Sequence, residues 1–118
     1  MRVTREKLVK SDILQVLAAG PTTIVSFGTK DLLEDINVAE CRDELLDLVQ
    51  KSRTEIICFE LSRVRLIPSG MLGLLASLRQ MDLEVRVLNP SPDVREVLSI
   101  TNFDRLIAIE DVPLDLPS

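Results

Sequence analysis

Glu55-Ile56-Ile57-Cys58-Phe59-Glu60-Leu61 is followed, after five residues, by Ile67-Pro68-Ser69-Gly70-Met71-Leu72-Gly73-Leu74-Leu75. The first stretch is almost continuously apolar, which predicts a central strand covered on both faces. Strand alternation puts Ile57 and Phe59 on one side and Cys58 on the other. The second stretch hands a loop over to an apolar helix reaching about Gln80. Pro68 fixes its own φ and biases Ile67 towards extended backbone. Ser69 then stands where an N-cap is expected, its hydroxyl accepting from an amide of the first turn. The same place suits a phosphate, because free amides and the positive end of the helix dipole favour an anion.

Outward from this unit the chain keeps alternating. Ile13–Ala18 reads as a strand, Gly20-Pro21 as a turn, and Thr22–Phe27 as a second strand antiparallel to the first. Thr29–Asp35 reads as a loop. Asn37 with Glu40 three residues later is a capping box, and Val38, Cys41, Leu45 and Leu48 form the buried stripe of the helix it starts. Glu40, Asp43, Glu44 and Asp47 make the opposite face acidic and solvated. Beyond Gln80, Glu84–Leu88 is a strand. Ser91-Pro92-Asp93 opens a helix by cap, proline and acid, with Asn102 placed to end it. Leu106–Ile109 is a last short strand. The order β-β-α-β-α-β-α-β makes this an α/β domain with a mixed sheet of about five strands. The helices should lie mainly on one face, with the first strand as the antiparallel edge. Residues 1–11 form an N-terminal extension, 12–111 the domain, and 112–118 an irregular tail.

Composition narrows the function. The chain has 118 residues, 46% hydrophobic and 28% charged, with a net charge of −5. That length suits one domain with one core. The acidic balance argues against nucleic acid and against an anionic membrane. There is no His, so no Ser-His-Asp or Cys-His pair and no imidazole zinc site is available within the chain. Cys41 and Cys58 are far apart and form no C-x-x-C motif; they read as small buried apolar residues in a reducing, cytoplasmic compartment. No motif calls for a cofactor. Basic residues up to Lys10 precede the apolar Ile13–Ala19, but Asp12 and Gln15 interrupt the pattern of a signal peptide, and a first strand is the better reading. Gly70-x-x-Gly73 has the spacing of an RNA-clamping loop, but its middle residues are Met71 and Leu72 in an acidic chain.

Three segments resemble the STAS domain family, which includes bacterial anti-sigma factor antagonists. Ile57-Cys58-Phe59-Glu60-Leu61-Ser62 is similar to the family's strand ending in Asp-Leu-Ser. Ile67–Leu75 is similar to the loop and helix start I-D-S-S-G-L-G-x-L. Asn89–Leu98 with Thr101–Leu106 resembles the closing S-P-x-V-R-x-V-L…T-G-L-D-R-L, the most specific of the three. The resemblance covers roughly residues 12–111. It departs from the pattern at Glu60 (usually Asp), Pro68 (Asp), Gly70 (Ser) and Met71 (Gly). Nothing in residues 111–118 corresponds to the family's C-terminal helix.

The resemblance implies a non-enzymatic bacterial regulator of transcription. Its partner would be a serine kinase that doubles as an anti-sigma factor, and Ser69 would be the phosphoacceptor. The unphosphorylated form would bind the kinase and release sigma. Arg65, Pro68, Ser69, Gly70, Met71 and Leu72 are the expected partner-binding surface, with Met71 or Leu72 exposed beside Ser69, and Arg63 flanks the same loop. A homodimer is compatible with the sequence. The alternatives are a STAS scaffold or interaction subunit in which Ser69 is only a cap, and a small-molecule-binding STAS domain.

Overall fold

The computed structural model describes residues 14–27 and 37–113. The expected extension 1–11, the loop Thr29–Asp35 and all but the first residues of the tail lie outside the described residues. The strands are β1 (Gln15–Ala18), β2 (Thr22–Ser26), β3 (Ile56–Glu60), β4 (Glu84–Leu88) and β5 (Ala108–Glu110). The helices are α1 (Val38–Ser52), α2 (Ser69–Gln80) and α3 (Pro92–Ile100), with a 3-10 turn at Phe103–Arg105. The sheet order is β1-β2-β3-β4-β5, with β1 antiparallel to β2 and the other pairs parallel. The expected α/β architecture is therefore the observed one.

Three successive crossovers step in the same direction along the sheet. With the usual right hand they place all three helices on one face. Val25, Phe27, Ile57, Phe59, Val85 and Val87 from the sheet meet Cys41, Leu45, Met71, Leu75, Leu78, Val94 and Leu98 from the helices in one core. The Phe27 and Phe59 rings stack at 6.5 Å. Cys58, one residue out of phase, lies between Ile24 and Arg86 of the neighbouring strands on the other face. Among the described residues, no helix is long and apolar enough to cross a membrane.

Local chemistry sets the ends of the elements. Asn37 caps α1 by accepting from the Glu40 amide at 3.1 Å. Ser91 caps α3 by accepting from the Val94 amide at 3.3 Å, with Pro92 opening the helix. Asn102, at φ 62°, turns the chain after α3, a conformation asparagine tolerates better than most residues. Because each helix runs back against the strands, the N-termini of α1, α2 and α3 share the end of the sheet where β3, β4 and β5 finish. Open α/β sheets tend to bind outside that end.

Candidate functional site

Glu60 organises the carboxyl end of the sheet. Its parity points it away from the core, yet it is only 8% exposed. Ser62 donates both its backbone N–H (3.3 Å) and its hydroxyl (3.0 Å) to Glu60 Oε1. Asn89 Nδ2 donates to Oε2 at 3.3 Å. Asn89 Oδ1 accepts the Val112 amide at 2.7 Å, so the start of the tail is tied to the same group. Asn89 itself has φ 53°, a left-handed backbone that asparagine tolerates better than most residues. A carboxylate that accepts several hydrogen bonds can be buried at tolerable cost.

The loop between β3 and α2 is clamped along its length. The Val64 amide donates to the Leu61 carbonyl at 3.1 Å. The Ser91 hydroxyl donates to the Val64 carbonyl at 2.7 Å while capping α3. Val64 and Ile67 are buried, whereas Ser62, Arg63, Arg65 and Leu66 face solvent.

Ser69 is not the N-cap of α2. Pro68 occupies that position with extended backbone (φ −76°, ψ 158°), and among the described residues no side chain caps the helix. The Pro68 carbonyl accepts from the Met71 and Leu72 amides at 3.0 and 3.3 Å. Ser69 has become the first helical residue: a proline already locked near the required φ serves as the extended residue, and the boundary slips by one. Ser69 is exposed, and its hydroxyl has no hydrogen-bond partner among the described residues.

The expectation that Met71 or Leu72 stands exposed beside Ser69 is also corrected. Met71 is 1% and Leu72 7% exposed, and both belong to the core. As the middle helix of its layer, α2 has neighbours on both flanks and buries a wide arc. Gly70 lies where α2 meets α1; a Cβ there would come within 3.3 Å of Val38 Cγ2. Among the described residues, the loop and the first turn of α2 thus expose Ser62, Arg63, Arg65, Leu66, Ser69 and Gly70, with Pro68 half-buried. Sequence reading missed Leu66. It precedes Ile67, and of two adjacent apolar loop residues nothing in the sequence says which turns out.

Among the described residues, no group of His, Cys, Asp and Glu could hold a metal ion. Burial raises the Cys41 thiol to about 12, with Glu44 adding to the effect. Burial also pushes the Cys58 thiol up, against the lowering effect of Arg86. Neither thiol has the lowered pKa of a reactive cysteine.

A family model for the STAS domain matches residues 22–114. The chain belongs to the STAS domain family. Solved structures share the fold. The anti-sigma factor antagonist SpoIIAA in its unphosphorylated form is 19% identical, with a TM-score of 0.69 over 85% of this chain and 88% of that one. An anti-sigma-factor antagonist (STAS) domain protein from Planctomyces limnophilus is 17% identical, with a TM-score of 0.68 over 85% and 91%. Phosphorylated SpoIIAA from Bacillus is 18% identical, with a TM-score of 0.61 over 85% and 91%. No curated protein matches the sequence of this STAS domain.

Proposed function

We propose that this STAS domain is a regulatory, non-catalytic binding module of the anti-sigma factor antagonist type. Arg65, Pro68, Ser69 and Gly70 form its docking surface for a serine kinase that also acts as an anti-sigma factor. Phosphorylation of Ser69 switches docking off. Met71 and Leu72 support this surface from below rather than touching the partner. The observation that carries the reading is the hydroxyl of Ser69, exposed on the first turn of α2 and without a hydrogen-bond partner among the described residues. A phosphate there meets uncapped amides and the positive end of the helix, so it does not unfold the domain.

One observation favours a second reading, a scaffold that is never phosphorylated. Pro68 stands where the family has Asp, and the first turn of α2 holds no acid. A single experiment separates the two. The full chain is incubated with ATP and each ATPase-type serine kinase of its own genome, and the products are analysed by mass spectrometry. Phosphate on Ser69, absent from Ser69→Ala, supports the switch. Stable binding to a kinase without phosphate transfer supports the scaffold.

A further inference from the structure

We propose that the β3–α2 loop is a basic, leucine-tipped recognition surface. Its partner presents carboxylates around an apolar pocket. The proposal rests on the reading that this face docks a partner kinase.

Charge is the first argument. The chain carries a net charge of −5, yet no acidic residue occurs between Glu60 and Asp82. Glu60 itself is turned inward and occupied by Ser62 and Asn89. Arg63 and Arg65 are exposed, and among the described residues neither makes an ion pair or hydrogen bond. By contrast, Arg86 and Arg95 are held by acids. Among the described residues the loop therefore carries only positive charge, on a chain whose net charge is negative.

Presentation is the second argument. Leu66, 44% exposed, lies next to Arg65 in the same short loop. Val64 and Ile67, at 2% and 5%, anchor the loop from inside. The bonds from Ser62 to Glu60 and from Ser91 to Val64 fix its backbone. A displayed group on a clamped backbone loses little freedom on binding, which favours a docking role. An exposed leucine beside guanidinium groups that have no acid partner among the described residues fits an apolar pocket rimmed by carboxylates, because complementary charge steers encounter and fixes register.

The test uses the full chain and each purified ATPase-type serine kinase of the source genome. Dissociation constants are measured at low and high NaCl. Wild type should bind one kinase and weaken as salt rises. Arg63→Glu/Arg65→Glu should weaken binding by about tenfold or more and flatten the salt dependence. Arg63→Lys/Arg65→Lys should keep that dependence. Leu66→Ser should weaken binding by roughly tenfold with the salt dependence intact. Urea melts of all variants should match wild type, because the sites are exposed. If the charge-reversed variant binds as wild type does while Ser69→Asp loses the kinase, the docking face stands and the recognition proposal is wrong. If no kinase binds wild type, the docking function fails and the recognition proposal falls with it.

Discussion

Pro68 already supplies the extended residue ahead of α2, and among the described residues the Ser69 hydroxyl has no hydrogen-bond partner. A serine in the first helical turn of an exposed face contributes little to stability. Ser69→Ala should therefore leave the free energy of unfolding within about 0.5 kcal/mol of wild type. Ser69→Asp should match or exceed wild type, by roughly 0.3–1 kcal/mol, since an acid suits the helix N-terminus. Urea titrations check both; a loss of more than about 1 kcal/mol in the alanine variant would restore the capping role. Gly20 is different. Its φ of 152° is a conformation that side chains avoid, and nothing lies within 4 Å of where its Cβ would be. Gly20→Ala should cost about 1–3 kcal/mol from backbone strain alone. A variant as stable as wild type would mean that the turn relaxes freely. At this scale the sequence was partly legible. It located the turn at Gly20 and the caps at Asn37 and Ser91, because those residues have few alternatives. It misplaced Ser69 by one position, because a proline and a serine can each precede a helix. It could not show that Glu60 is buried, since Ser62 and Asn89 cover it only once β3 and β4 lie side by side.

Elements were read more securely than their surroundings. All five strands and the three helices fall where periodicity and capping placed them, with ends within two residues: β5 starts later and runs on to Glu110, and α2 takes in Ser69. The arc of α2 was visible as wide, but its middle position among three helices is a tertiary fact, and that position is what buries Met71 and Leu72. The coupling between α3 and the β3–α2 loop was invisible for the same reason. Ser91 does two things at once: it accepts from Val94 and donates to Val64. These roles can be separated. Ser91→Ala should cost roughly 0.5–2 kcal/mol through loss of the cap. Ser91→Asp keeps a capping acceptor but, when ionised, has no proton to donate. It should recover the stability of α3 while leaving the Val64 carbonyl without its partner. Amide exchange in residues 62–67 should then be faster than in wild type, with α3 protected as before. Equal protection of the loop in both proteins would show that Val64 and Ile67 hold it by packing alone.

For the whole molecule, the mixed sheet with its antiparallel first edge and the Glu55–Leu61 strand at its centre was legible because alternating strands and helices leave few topologies open. Both cysteines were also read correctly as buried and free, and they give the fold a definite response to alkali. Burial raises the Cys41 thiol to about 12, above the ordinary value of 9.0, and raises Cys58 in the same direction. Between these limits the unfolded chain releases protons that the folded chain retains. The folded state then binds more protons, and stability must fall as pH rises. The contribution is intact below pH 9 and is lost progressively towards pH 12. The chain has no Tyr to titrate in that window, so the thiols compete there only with amines. Urea midpoints measured from pH 8 to pH 11 should therefore decline. Cys41→Ala should be less stable at pH 8, where a core contact is lost, yet decline less steeply with pH. Parallel slopes in the two proteins would mean that Cys41 reaches solvent before global unfolding, and that the layer between α1 and the sheet opens locally.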